Sequence, residues 1–492
     1  MNILSILISI FSIKNMLIMC GGILIGIIGG ALPGISSTMC VSLLLPFTFA
    51  MSPETGILML MAIYTSAVYG GSISAILINT PGTGSSAATA LDGYPLTSQG
   101  RGGQALRIST LASAIGGVIS GIALLVLAPP LSQISLLFGP SEYMLLAVIG
   151  LTAVVTLAAD SLFKGILSAI FGLFLTTVGV DFSIGYPRFT FGIIELDSGI
   201  SFIPALIGLF ALSEVLKLCE RPRESNIDVA NFKSDRIFPS MEETRGLWGT
   251  IARSSIIGVI IGILPGAGAE IGSWISYNTA KSLSKEKEKF GKGSLEGIAA
   301  SETANNAVTG GALIPLLTLG IPGSSVAAVI LGGLLIHGLV PGRELFTTHA
   351  RMTYTVIIGF IIANILIALF GFILAKPFSQ VAKLPKKYLT PMIVIFCFIG
   401  SFALNNSMFD IVIMIIFGVI GYIIQKAGFH PAPIVLAMVL GQMLESRYLQ
   451  TFTVSNGKVI SYIMTRPISI VLIIIAIIFL VSPMFFKNIK RG

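Results

Sequence analysis

Charge is scarce in this chain. Of 492 residues only 11% are Asp, Glu, Lys or Arg, against about 25% in soluble domains, too few to cover a water-soluble body of this length. Histidine is scarcer still: His337, His349 and His430 stand far apart, which gives a zinc site no support. The four cysteines (Cys20, Cys40, Cys219, Cys397) lie singly in apolar stretches with no C-x-x-C pair. They read as buried thiols, not as disulfides or metal ligands. These shortages exclude a cytosolic enzyme, a disordered chain and a secreted disulfide scaffold.

Apolar residues are what the chain has in excess. They make up 54% of it, mean hydropathy is +0.93, and they come in runs far longer than the alternating ten-residue strands of a barrel. Lipid admits only helices and closed barrels, so the fold class is an all-α polytopic membrane protein. The net charge of +8 sits in short loops between apolar runs. There it orients the chain in the bilayer, and no nucleic-acid partner is expected. The apolar start of the chain, without a basic leader or a small-residue cleavage site, reads as part of the first membrane region.

Several apolar segments are shorter than the roughly 17 to 25 residues of a full crossing. About 12 transmembrane helices are therefore expected, some broken or re-entrant. The hydrophilic stretch 220–248 divides the chain into an N-terminal membrane repeat (1–219) and a C-terminal one (249–492). Lysines concentrate in 281–296, in 376–387 and in the tail 487–492. By the positive-inside rule these loops, the linker and the C-terminus face the cytoplasm, with the protein multi-pass in the cytoplasmic (inner) membrane.

A search for internal repeats finds GIIGGALPG at Gly26–Gly34 and GVIIGILPG at Gly258–Gly266, the pattern G-x-x-x-G-x-L-P-G twice. A second Pro-Gly pair follows each, Pro81-Gly82 and Pro322-Gly323, each preceded by Gly-Gly and mostly apolar residues and followed by small polar residues and alanine. The shared order of two motifs indicates a two-fold internal repeat, parallel or inverted.

A Pro-Gly pair inside an apolar helix removes a backbone donor and leaves neighbouring N–H and C=O groups without partners. In lipid such backbone survives only where protein buries it or water reaches it, so the breaks are either packing kinks or binding sites of the kind transporters build from interrupted helices. Small hydroxyls and bare N–H groups cluster beside them. The candidate anion-binding set is Gly34 and Ser36; Asn79, Thr80, Gly82, Thr83, Ser85 and Ser86; Gly266 and Gly268; and Gly323, Ser324 and Ser325. Such a set cradles a carboxylate without any lysine in the membrane. In SETANNAVTGG, Glu302, Asn305 and Asn306 occupy one helix turn. They offer oxygen ligands to Na+, or a carboxyl that loads and unloads H+, and they are expected to couple the cation. The alternative for this string is an interfacial cap just outside the lipid. Asp92 and Glu270 are weaker candidates.

The strings GGALPGISS, INTPGTGSSAATALDGYPL, GILPGAGAEIGSWISYNTAK, FGKGSLEGIAASETANNAVTGGALIPLLTLGIPGSS and IHGLVPGRELF resemble the large membrane subunit of tripartite tricarboxylate transporters, the TctA family. The resemblance implies a permease for citrate-like or other carboxylates. It also implies two partners, a small four-helix membrane subunit and an extracytoplasmic solute-binding protein, with a cation gradient as the energy source. No G-x-x-x-x-G-K-[ST] phosphate loop occurs, in keeping with that expectation. Two positions depart from the family pattern: Ser301 where proline is usual, and Arg343 after Pro341-Gly342 where a second proline is common.

The expected function is secondary active uptake of tricarboxylates or dicarboxylates by alternating access, a symport with Na+ or H+ and no other cofactor. A passive anion channel is the alternative. An intramembrane hydrolase is disfavoured, since the chain has neither G-x-S-x-G nor H-E-x-x-H and no histidine near the polar breaks in the sequence.

Overall fold

In this computed structural model the structure describes residues 3–32, 34–134, 137–157, 161–181, 184–220, 236–375, 377–378 and 386–489. Helices dominate, and the one sheet among these residues is a two-residue hairpin pairing Gly179–Val180 with Pro187–Arg188. Six helices are long and apolar enough to cross a membrane, and another six apolar helices are 10–17 residues long. The protein is an all-α polytopic membrane protein. Pro33, most of the 220–248 linker and the last three residues lie outside the described set.

Two helices form the centre. Pro53–Ile78 is buried from Thr55 to Ile78, and Leu295–Leu319 from Gly297 to Thr318. A helix covered on every face belongs to the interior of a bundle. Pro53–Ile78 packs on Ile13–Ala31 and Ala350–Ile373, while Leu295–Leu319 packs on Trp248–Ile263 and Gly102–Ile134. Each central helix thus packs on a helix of its own repeat and on a helix of the other.

Glycine makes these pairings close. A Cβ on Gly30 would lie 2.1 Å from the Ala67 carbonyl oxygen, and one on Gly262 would lie 2.5 Å from that of Val308. The matching glycines of the repeated motif therefore do the same work, letting a first helix lie directly on its central helix as small residues do in membrane bundles. The second breaks match as well. A Cβ on Gly82 would meet the Gly30 oxygen at 2.1 Å, and one on Gly323 the Gly262 oxygen at 2.5 Å.

The matched segments run in opposite senses. Near the start of Pro53–Ile78, Gly56 lies against His337, the residue that closes Ser325–Ile336. At the other face, Gln99, which closes Ala87–Ser98, donates from Nε2 to the Lys292 carbonyl at 2.9 Å, just ahead of Leu295–Leu319. The central helix of one segment thus starts at the face where the short helix of the other ends. Sequence alone left parallel and inverted arrangements open; these contacts describe an inverted one.

Candidate functional site: a cavity at four helix N-termini

After Ile78 the helix cannot continue. Asn79 takes a left-handed conformation (φ 52°), and the chain turns back so that the Gly82 N–H donates to the Gly71 carbonyl at 3.1 Å. From that depth Gly84–Ser86 and then Ala87–Ser98 start outward again. In the second segment Gly320 (φ 72°) ends Leu295–Leu319, and the Gly266 N–H donates to the Gly323 carbonyl at 3.0 Å, tying the two breaks together. The loss of donors and the turns at Pro-Gly thus end helices in the protein interior, where their loose backbone groups meet each other.

Four helix starts converge on one cavity of about 380 Å³. They are Ser37–Leu44, capped by the Ser36 hydroxyl on the Met39 N–H (3.1 Å); Gly84–Ser86 leading into Ala87–Ser98; Gly268–Leu283; and Ser325–Ile336, capped by Ser324 on the Ala327 N–H (3.2 Å). Each helix N-terminus carries about half a positive charge. No lysine or arginine lines the cavity, so the positive potential there comes from main-chain dipoles. Thr38 and Ser325 hydroxyls meet at 3.1 Å across the two segments, and those of Thr83 and Ser85 at 3.1 Å within one.

Of the sequence candidates, Ser36, Thr83, Ser85, Gly266, Gly268, Ser324 and Ser325 line this cavity. Gly34, Asn79, Thr80, Gly82, Ser86 and Gly323 do not. Gly34 backs onto Leu218, Asn79 caps its helix, Thr80 donates to the Ile78 carbonyl (3.2 Å), and the Ser86 hydroxyl donates to the Thr83 carbonyl (2.8 Å). Sequence reasoning missed Tyr64 and His430 as lining residues, and Thr38, a hydroxyl beside the first break, lines the cavity although it stood outside the candidate set. The expectation that no histidine stands near the breaks does not hold in space. His430 comes from the start of a distant helix, where its Nδ1 accepts from the Ala432 N–H at 3.1 Å.

Glu302, Asn305 and Asn306 form a separate buried cluster. They sit within Leu295–Leu319, not at its mouth, and each is fully buried, so the interfacial-cap alternative does not describe them. Glu302 Oε1 accepts from Ser72 (2.6 Å) and Thr89 (2.5 Å), and Oε2 from Ser109 (3.1 Å). Three hydroxyls surround it, with no ion pair among the described residues. Asn306 Nδ2 donates to the Ser113 carbonyl (2.9 Å) and to Asn364 Oδ1 (2.8 Å). The Asn305 amide faces the Glu302 carboxylate but falls short of hydrogen-bond geometry. Its two polar atoms, with the hydroxyls of Thr303 and Ser113, are buried with no hydrogen-bond partner among the described residues. The two clusters are mechanically joined. Thr89 belongs to the helix that starts at the cavity, and Ser72 adjoins Gly71, onto which Thr83 packs closely.

Asp92 is fully buried and bound on every side. Its Oδ1 accepts the N–H groups of Gly291 (2.8 Å), Gly293 (2.9 Å) and Ser294 (2.8 Å), and its Oδ2 the Tyr277 hydroxyl (2.9 Å). It fastens the short helix of the first segment to the loop before Leu295 and to Gly268–Leu283. At the same face Arg107 pairs with Glu243 at 2.7 Å, holding the end of the linker. Burial works against the Glu243 charge, but hydrogen bonds from Arg107 and from the Ser240 N–H hold its carboxyl below the usual range.

Sequence comparison agrees with this architecture. The profile of the Tripartite tricarboxylate transporter TctA family matches residues 16–436. In Agrobacterium vitis, the "Uncharacterized 52.8 kDa protein in TAR-I ttuC' 3'region" is 39% identical over 448 residues, covering 91% of this chain and 89% of its own length. From the same organism, the "Uncharacterized protein in TAR-II ttuC' 3'region" is 37% identical over 212 residues, 43% of this chain and 87% of its own. No solved structure matches. A match that takes in all four interrupted helices makes the chain a member of the tripartite tricarboxylate transporter TctA family, a multi-pass membrane transport protein that forms one component of a tripartite system.

Proposed function

We propose that the protein is the permease subunit for secondary active uptake of small carboxylates, of tricarboxylate or dicarboxylate type such as citrate, across the cytoplasmic membrane. The observation that carries this reading is the convergence of four helix N-termini on one cavity lined by no lysine or arginine. Main-chain N–H groups and hydroxyls bind carboxylate oxygens, and the summed dipoles favour negative charge. Cavities of about 300–1,000 Å³ take small molecules, and this one falls within that range. The substrate-binding set narrows to Ser36, Thr38, Thr83, Ser85, Gly266, Gly268, Ser324 and Ser325.

Symport with a cation is supported by Glu302. A carboxylate buried without a counter-ion is unfavourable, so this site suits a group that gains H+ or Na+ during transport. The unpartnered oxygens of Asn305 and Thr303 lie on the same helix turn. Loading the site alters the hold on Thr89 and hence on the helix that starts at the cavity, and alternating access of the two inverted segments then moves the substrate. The lysine-rich face is cytoplasmic by its charge. The partners are the small four-helix subunit and the solute-binding protein expected from the family resemblance.

The test is reconstitution of the chain with those partners in proteoliposomes and measurement of citrate, malate and succinate uptake under imposed Na+ and pH gradients. Accumulation above the external concentration supports the permease. Equilibration alone identifies the passive channel.

A further inference from the structure

We propose that Glu270 holds the positive charge that accompanies substrate into the cavity, a proton or a monovalent cation placed between its own carboxylate and that of the substrate. The proposal rests on the carboxylate-transport reading above and adds a residue and a charge count to it.

The repeat exposes the anomaly. Counting from the matched prolines, Glu270 stands five residues after Pro265, as Thr38 stands five after Pro33; Gly84 stands three after Pro81, as Ser325 stands three after Pro322. On one side of the cavity Thr38 and Ser325 exchange a hydrogen bond of 3.1 Å. On the inverted side the same two positions are again in contact, since a Cβ on Gly84 would lie 2.0 Å from Glu270 Oε1. Here a hydroxyl pair has become a carboxylate facing bare backbone. Among the described residues, no hydrogen bond or ion pair holds the Glu270 carboxylate.

With His430 neutral, its Nδ1 accepting the Ala432 N–H, no side chain around Glu270 carries a positive charge. Facing the cavity are Tyr64 from Pro53–Ile78, His430 ahead of Ala432–Val454, and hydroxyls, glycines and apolar side chains; no lysine or arginine lines it, and Glu270 is its one carboxylate. The charge count follows. Four helix N-termini contribute about +2 in all, and Glu270 reduces this to about +1. A dianion then leaves the cavity about one unit negative. At an effective dielectric of about 20, two carboxylates about 5 Å apart repel by on the order of a hundredfold in affinity. One added positive charge between them removes that repulsion, and the Thr83–Ser85 hydroxyl pair beside Gly84 supplies further oxygens for it. With threonine at this position, as at 38, the cavity would hold a dianion without the extra charge.

The test uses the full chain purified in detergent, with radiolabelled succinate and citrate binding measured across a Na+ series at fixed pH and across a pH series without Na+. In the wild type, affinity rises at least tenfold with one of the two series, and that series identifies the charge as Na+ or H+. In Glu270→Thr and Glu270→Gln the dependence on that series flattens, with affinity in the absence of the cation raised about tenfold or more. In proteoliposomes the cation-to-substrate ratio falls by one. Binding and stoichiometry in both variants that follow the wild-type cation dependence overturn the role of Glu270 and leave the transport reading standing. A wild type that binds neither carboxylate under any condition overturns both.

Discussion

The Thr38 hydroxyl lies 3.1 Å from that of Ser325, joining the starts of two short helices from opposite, inverted segments across the cavity. Both residues line that cavity, so the pair joins the segments and, on the proposed function, belongs to the binding surface. A neutral hydrogen bond of this kind contributes about 1 kcal/mol. Thr38→Val and Ser325→Ala should each change carboxylate uptake several-fold, with the double variant no worse than the more severe single one. Additive losses in that cycle would mean that the two hydroxyls act independently.

Glu302 should prove sensitive to charge more than to size. Glu302→Gln keeps the shape of the buried group and its contacts with Ser72 and Thr89 but cannot take up a proton or balance a cation. The expected result is normal membrane insertion with a weakened response of substrate uptake to the Na+ or pH gradient, the charge held at Glu302 being lost from the cycle. Wild-type gradient dependence in this variant would leave Glu302 a structural hydrogen-bond acceptor.

The close approaches at the second breaks predict a steep penalty for one added methyl group. Gly82→Ala and Gly323→Ala would place Cβ 2.1 Å and 2.5 Å from carbonyl oxygens of the first helices, so the backbone must move. Both variants should lose folded yield, judged by monodispersity in detergent. Gly249→Ala, where nothing lies within 4 Å, should fold like the wild type or slightly better, since alanine favours the helix. Equal yields for all three would contradict the packing described here.

Asp92→Ala removes an acceptor from three backbone N–H groups and a tyrosine hydroxyl. Leaving buried donors without partners costs on the order of 3 kcal/mol or more. Thermal unfolding in detergent should shift down by several degrees, with Lys281–Glu296 becoming open to protease before global unfolding. An unshifted transition would show that water replaces the carboxylate at no cost.

What the sequence made legible was local. Pro-Gly within apolar runs announced the breaks, and flanking hydroxyls announced helix starts such as Ser36 and Ser324, because these signals need only a few neighbouring residues. The partners of Glu302 were hidden, since Ser72, Thr89 and Ser109 come from parts of the chain around 200 residues away and carry no pattern of their own. Asn79 resembled a ligand because it borders a break, yet asparagine also tolerates left-handed backbone, and that is its use here. Tyr64 sits inside Pro53–Ile78 and His430 just ahead of Ala432–Val454, away from the Pro-Gly breaks in sequence, so only tertiary packing could bring them to the cavity. The sense of the repeat depended on which ends share a face, a relation absent from motif spacing.

The upside-down kinship of the two segments reaches beyond this single pose. Their partner contacts are unequal, Thr38 with Ser325 on one flank and Glu270 with Gly84 on the other. Under the alternating access proposed above, each segment would take up the other's arrangement in turn, and the cavity would then open toward the opposite side of the bilayer, built from the same amino acids in traded roles.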